Sequence, residues 1–233
     1  MKILLLLLML IPVVANAKII TYQATYSAKY NGMDIEAFHQ LEEVEPGYFR
    51  EVLKAKNFFG KIDEESLFRV TEDNDLIPCT YRYNRSLMGI SRKESQVFDW
   101  ESKTLNYKKG DKEKTLNIEP GVLDLITHKL QIRQDLKKGL QEFSYPVISR
   151  GKLKQYNYRV VQKEPLETPI GLLNTVKVER VRENSERQTI IWLASDWDYL
   201  IVKLEQVEDG DSHQMNIDSA TIDSKPVTPL TSK

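Results

Sequence analysis

Few side chains in this sequence are spaced for chemistry, and the clearest is an arginine on an apolar helical stripe. Over Val122–Lys138, VLDLITHKLQIRQDLKK, a helical period of roughly 100° per residue gathers Val122, Leu123, Leu125, Ile126, Leu130, Ile132 and Leu136 on one arc. Asp124, Thr127, His128, Gln131, Gln134, Asp135 and Lys138 fall on the opposite arc. Lys129 and Arg133 lie inside the apolar arc, with Lys137 at its edge. A cation aimed at a core must snorkel to water, meet a carboxylate on a facing strand, or wait for an anionic ligand. An internal partner is the common resolution. The functional alternative gives Arg133 the phosphate or carboxylate head of an amphipathic molecule, which its planar fork suits.

His39 and a set of aromatics form the second group. Tyr22, Tyr26 and Tyr30 recur at strand spacing, and His39 falls on the same face opposite the small Ala24. Such a histidine is more often a satisfied core residue than a ligand contact. With Trp192, Trp197 and Tyr199 near a later turn, these rings could line a groove for acyl chains, glycans or peptide, or pack as an ordinary cross-strand core. Ligand-binding candidates are therefore Arg133, His39, Tyr22, Tyr26 and Trp192. No catalytic residue, cofactor motif or metal-ligand spacing emerges: a strand-to-helix Gly-x-Ser-x-Gly, a Ser-x-x-Lys before a helix, a Gly-rich phosphate loop and paired histidines are all missing from the sequence. The acidic clusters Glu72-Asp73-Asn74-Asp75 and Glu208-Asp209-Gly210-Asp211 lack the alternating ligands of a calcium loop and read as solvated turns. A carboxylate pair of the glycosidase kind needs no motif, so a glycan hydrolase is kept as the least favoured reading.

The elements that must position these residues are mostly strands. Tyr22–Tyr30 and Met33–Leu41 alternate apolar and polar residues about Asn31-Gly32, a strong hairpin turn. That turn sets a register in which Tyr30 faces Met33, Tyr26 faces Ala37 and Tyr22 faces Leu41. Further strand runs begin near 48, 62, 79, 91, 104, 113, 143, 153, 172, 189, 199 and 215, separated by Gly, Pro, Asn and Asp. Pro120 before the helical stretch and Gly139 after it mark its ends. These patterns predict a mainly β fold: one large curved antiparallel sheet, a half-barrel or open barrel, packed around a single long α-helix. A single domain over 18–223 and a flexible tail over 224–233 complete the expected organisation.

Residues 1–17, MKILLLLLMLIPVVANA, have one lysine, a twelve-residue apolar run and Ala15-Asn16-Ala17 at the end. This is the pattern of a cleaved secretory signal, too short for a bilayer span of about 20 residues. No later stretch is as apolar, so the expected product is not membrane-spanning once the leader is removed. The periplasm is the expected location, the extracellular medium the second choice. Cys79 is the only cysteine among 233 residues, so no internal disulfide can form. With 33 Lys+Arg against 34 Asp+Glu, the chain lacks the overall positive charge expected of a nucleic-acid binder.

The segment Glu167–Glu205 resembles the closing part of a bacterial exported family, domain-of-unknown-function family 3108. The resemblance rests on Thr168-Pro169-x-Gly171 before a strand and on Trp192-Leu193-x-x-Asp196 leading into the last long strand. Asp124–Arg133, ending in Ile132-Arg133, and the opening hairpin Tyr26–Glu42 fit as well, so that most of the chain after the leader is covered. Thr127 stands where the family pattern leads one to expect serine, and Leu130 where an aromatic is expected. The resemblance implies an exported protein whose antiparallel sheet curves around a helix, similar in outline to periplasmic lipoprotein carriers, and it supplies no catalytic or binding residue. The leading functional expectation is a periplasmic, non-enzymatic binding or carrier module for a lipid-like, apolar or amphipathic envelope molecule. The alternative is an envelope protein that docks a protein partner.

Overall fold

In the computed structural model, which describes residues 19–30, 32–182, 187–208 and 210–230, period-two alternation becomes strand nearly everywhere the sequence carries it. The expected leader and Asn31 lie outside the described residues. β1 (Tyr22–Tyr30) and β2 (Met33–Glu45) pair in the register the two-residue turn dictates, with Tyr22 opposite Leu41, Ala24 opposite His39 and Tyr26 opposite Ala37. The meander continues through β3 (Tyr48–Asn57), β4 (Gly60–Val70), β5 (Leu76–Leu87), β6 (Ile90–Asp99), β7 (Thr104–Lys109) and β8 (Lys112–Asn117). After α1 (Thr127–Lys137), the one helix among the described residues, come β9 (Glu142–Ser149), β10 (Lys152–Thr168), β11 (Gly171–Val181), β12 (Arg187–Ala194), β13 (Leu200–Glu208), β14 (Asp211–Ile222) and β15 (Lys225–Pro226).

All these strands join one antiparallel sheet in the order β8-β7-β6-β5-β4-β3-β2-β1-β14-β13-β12-β11-β10-β9, with β15 on β14. The only long-range step is β1 to β14; every other neighbour is a hairpin partner. Bulges at Thr25/Tyr26, Leu67/Phe68, Val160/Gln162 and Trp192/Leu193 add the twist that curls so wide a sheet. The Leu67/Phe68 bulge places Phe68 opposite Pro78, which has no N–H to give a regular ladder. The curl brings the two ends of the sheet together through side chains. Phe98 and Leu105 from β6 and β7 share an apolar cluster with Ile118, Val122 and Ile148 of β9. At the neighbouring turn, Gly151 has φ +67 and lies so close to Tyr107 that a Cβ there would sit 2.5 Å from the ring. Only glycine fits that seam without a shift.

The long helix expected over Val122–Lys138 is shorter by a turn and more at its start. Leu123 is drawn instead into a parallel bridge with Val147, giving its N–H to Pro146 O and accepting from Ile148 N. Asp124 then closes a local turn, its Oδ1 accepting the N–H groups of Ile126 and Thr127 at 2.8 Å each, so the helix begins only after it. The polar arc is also not a solvent face. Asp124, Thr127, His128, Gln134 and Asp135 are buried alongside Leu130, Ile132 and Leu136, because α1 lies inside the curled sheet and meets strands on every side. The tail expected to fray from Ser224 is held as far as Leu230: Val227 is buried and bonded to Ala220 O, and the Leu230 N–H reaches Leu172 O.

Candidate functional site

The interior holds two polar regions, each reached by side chains of α1. In the first, Arg133 meets Asp198, which the β12–β13 turn presents in a left-handed conformation at φ +54. Arg133 Nη2 donates to Asp198 Oδ2 at 2.7 Å and Nε to its backbone oxygen at 3.1 Å. Lys137 Nζ holds the other oxygen at 2.5 Å. Burial keeps the Lys137 ammonium below its ordinary pKa even with Asp198 beside it. The Arg133 guanidinium also lies 4.7 Å above the Tyr22 ring. Tyr22 OH donates to Glu51 Oε1 at 2.6 Å, and His39 Nε2 donates to the same oxygen at 2.8 Å. Burial alone would raise the Glu51 carboxyl, but the His39 and Tyr22 hydrogen bonds with the charges of His39 and Arg133 outweigh it and hold the group below the usual carboxylate range. Tyr26 OH closes the set by donating to Ile201 O at 2.9 Å.

Four of the five candidate ligand contacts thus converge, and they converge on one another. Tyr22, Tyr26, His39 and Arg133 are all buried, and Arg133 takes the internal-partner alternative. Trp192 stands apart on β12, its Nε1 donating to Glu164 Oε1 at 2.8 Å and its ring between Lys177 and Lys203.

The second region is an open cleft of about 620 Å³, at the end of the sheet where the hairpins β5–β6, β9–β10 and β11–β12 turn. Strand register explains its lining. Tyr81, Tyr83 and Arg85 share the inward face of β5, and Arg85 sits directly opposite Arg92 of β6. Across the lumen, Arg180 faces Tyr158 on β10, and Arg182 follows two residues on. Arg150, Lys154, Arg187 and, from the helix, Lys129 complete eight cations, against the two carboxylates Glu64 and Glu94 among the described residues of the lining. Both carboxylates are engaged: Tyr81 OH donates to Glu64 at 2.5 Å, and Arg92 pairs with Glu94. Of the remaining cations, Arg187 reaches Glu208 at 3.3 Å.

Arg180 and Arg182 carry the electrostatic weight. The Arg180 guanidinium stacks 3.3 Å over the Tyr156 ring, and its Nε is buried without a hydrogen-bond partner, as is the Nε of Arg85. Among the described residues Arg182 donates to neutral acceptors, Arg187 O at 2.7 Å and Thr189 Oγ1 at 3.1 Å. Burial, then the charges of Arg180 and Arg187, push its pKa down. At the cleft floor, His128 Nδ1 faces only the carbonyl of Asp124 at 3.1 Å, so it must donate, which leaves Nε2 to accept from Tyr158 OH at 3.1 Å. Burial, then Lys129 and Arg180, push this histidine down to about 3; it is a neutral floor for a charged chamber. Among the described residues of the lining no nucleophile is bonded to a base. Its chemistry is the recognition of negative charge by arginine forks and tyrosine faces.

Sequence reasoning passed over this chamber, although a trace of it is visible. Val176, Val178, Arg180 and Arg182 form one alternating face, as do Tyr81, Tyr83 and Arg85: arginines continuing an apolar strand face pose the same conflict noted for Arg133.

Comparison with known proteins agrees with this architecture. The sequence profile of a family described as proteins of unknown function, DUF3108, matches residues 21–218. The chain belongs to the DUF3108 family. No curated protein matches this DUF3108 chain in sequence. Among solved structures it is similar to a β-barrel-like protein of the DUF1849 domain family from Brucella abortus, with 11% identity, a TM-score of 0.56, and 87% of this chain and 98% of that one covered. It also aligns with a candidate lipoprotein from Parabacteroides distasonis at 12% identity and a TM-score of 0.30, over 87% of this chain and 94% of the other. The first likeness shows the DUF3108 fold as a barrel-like sheet. No helix among its described residues is long and apolar enough to cross a membrane.

Proposed function

We propose that this DUF3108 protein is a non-enzymatic binding or carrier module, exported to the periplasm by its leader, whose basic chamber holds the anionic head of an amphipathic envelope molecule. The observation that carries the reading is the imbalance of charge: eight cations and two engaged carboxylates line one cleft in a chain whose formal net charge is -1. A protein does not gather like charges beside a partly buried surface without an energetic penalty, and a bound anion removes it. Arg180 and Arg182, rather than the internally paired Arg133, are the proposed head-group contacts, with Tyr156 and Tyr158 as faces for a ring or chain beside it. Leu125, Ile191 and Leu204 supply the apolar part of the lining.

The test is calorimetric titration of the mature chain with dodecyl phosphate and, separately, with pyrophosphate. The expected result is binding of dodecyl phosphate that weakens as salt is added and drops at least about tenfold in Arg180→Gln/Arg182→Gln, a change equal to about 1.4 kcal/mol. Binding of pyrophosphate alone would narrow the ligand to a free anion. Absence of binding to either probe, or equal binding by wild type and the double variant, overturns the reading.

A further inference from the structure

The hairpin tips beside the chamber mouth break two rules of soluble proteins at once. The β3–β4 tip is Asn57-Phe58-Phe59-Gly60 and the β5–β6 tip is Leu87-Met88-Gly89-Ile90. Phe58 is 94% exposed, Met88 76% and Ile90 71%, where turns ordinarily carry Asn, Asp or Gly. Met88 moreover adopts φ +48, a left-handed conformation that a side chain of its kind rarely takes. The two tips are built as one unit. Asn57 Oδ1 accepts the N–H groups of Phe59 and Gly60 at 2.9 Å, which fixes the first turn, and Met88 N–H donates to Phe59 O at 2.9 Å, which ties the second turn to it. Gly60 lies so close to Ser86 O that a Cβ would meet it at 2.3 Å. Large apolar side chains are therefore held outward on a rigid platform, not left to fold back.

Charge tells what the platform meets. Behind the tips, on the outer face, is a hollow of about 250 Å³ whose lining carries Lys61 and Lys93 against the carboxylate of Asp63, which Lys61 approaches at 3.7 Å. Lys56, paired with Glu36 at 3.3 Å, and Lys109 and Lys112 of the next tip, beside the Lys108–Glu113 pair at 2.8 Å, lie at the same end of the sheet. Apolar side chains projecting beyond a ring of cations match the layers of an anionic bilayer, in which phosphates lie above acyl chains. A water-exposed protein partner of the usual kind would not need that depth order.

We propose that the paired tips 57–60 and 87–90 are a membrane-docking element, inserting Phe58, Phe59, Met88 and Ile90 into the surface of an anionic bilayer while Lys61 and Lys93 meet its phosphates. Docked in this way, the protein turns the mouth of its basic chamber toward the lipid head groups. The docking stands on the tips alone and holds whatever the chamber binds.

The experiment is flotation of the mature chain with vesicles of pure phosphatidylglycerol and of pure phosphatidylcholine. Wild type is expected to float with phosphatidylglycerol and not with phosphatidylcholine, with binding that falls as salt rises. Phe58→Ser/Met88→Ser/Ile90→Ser changes only exposed side chains, so it should unfold at the wild-type temperature while losing at least about tenfold in vesicle affinity. In Met88→Trp, tryptophan emission should shift to the blue on addition of phosphatidylglycerol vesicles, which reports insertion directly. Equal flotation of wild type and the triple Ser variant, no flotation at all, or self-association that the triple variant abolishes would each overturn the proposal. The dodecyl phosphate titration of the triple variant should match wild type, so a failure of docking and a failure of the chamber are read separately.

Discussion

The two polar regions inside this barrel are built from the same parts and end in opposite electrostatic states. Each points arginines inward and lays one on a tyrosine ring, Arg133 on Tyr22 and Arg180 on Tyr156. Around Arg133 the fold supplies Asp198, and Glu51 close by, and every charged head is tied to a protein group. Around Arg180 and Arg182 it supplies a ring face, a carbonyl and a hydroxyl, but no carboxylate among the described residues. The first region is a closed structural ion cluster. The second is, on the function proposed above, an anion site with its counter-charge left to a ligand. An inward arginine is therefore diagnostic only together with the count of carboxylates that face it.

The sharpest way to break the comparison is to remove the shared carboxylate of the closed cluster. Asp198→Asn tolerates the positive φ at that position yet leaves buried Arg133 and half-buried Lys137 without their ion-pair partner, and is expected to destabilise the protein by about 3–5 kcal/mol in urea unfolding. Arg133→Met should do less harm, because Lys137 still neutralises Asp198.

Next in size is a pH effect from the chamber floor. The His128 pKa is lowered to about 3 in the folded protein, whereas the unfolded chain takes up this proton near pH 6.5. Below that value the unfolded state binds more protons, so stability should fall as pH drops from about 6.5 toward about 3. Asp124, raised to about 6 chiefly by burial, acts in the opposite sense over about 6 to 3.8. It is common to wild type and His128→Gln, so subtracting their pH-stability profiles isolates the histidine; parallel profiles would show that folding leaves the proton affinity of His128 unchanged.

A smaller effect tests the open side directly. Sulfate at ten times its dissociation constant should stabilise wild type by about 1.4 kcal/mol, and Arg180→Gln/Arg182→Gln should lose that increment while keeping the general salting effect. Smallest is the single change Arg182→Gln in the absence of anion. Relief of like-charge crowding should leave stability unchanged or raise it by up to about 0.5 kcal/mol, the reverse in sign of any substitution at Asp198.

Much of the scaffold was legible in the sequence. The β1–β2 register was fixed by Asn31-Gly32 and the tyrosine stripe, because a turn of two residues leaves one pairing that keeps Tyr22, Tyr26 and Leu41 on the same face. The start of α1 was misread for a reason that local periodicity does not contain: the Leu123 backbone finds better partners on β9 than in a helical turn, and Asp124 offers its own cap further on. The burial of His128 and Asp135 was missed likewise, since helical periodicity separates polar from apolar but is silent on whether the polar face meets water or Tyr158 and Tyr145.

The candidate site divides along the same line. That Arg133 points inward, and that Arg180 and Arg182 continue the apolar face of their strand, is written in spacings of two and of 3.6 residues, which depend only on local backbone geometry. That Asp198 reaches Arg133 while no carboxylate among the described residues reaches Arg180, and that Arg85 of β5 comes to line the same cleft as Arg182 of β11, depends on how far a sheet of this width curls before its edges meet. The sequence by itself determined the strands, their inward residues and the charges they carry. Only the tertiary structure decided which of those charges are neutralised, because Coulomb interactions act through space between residues that the chain holds far apart.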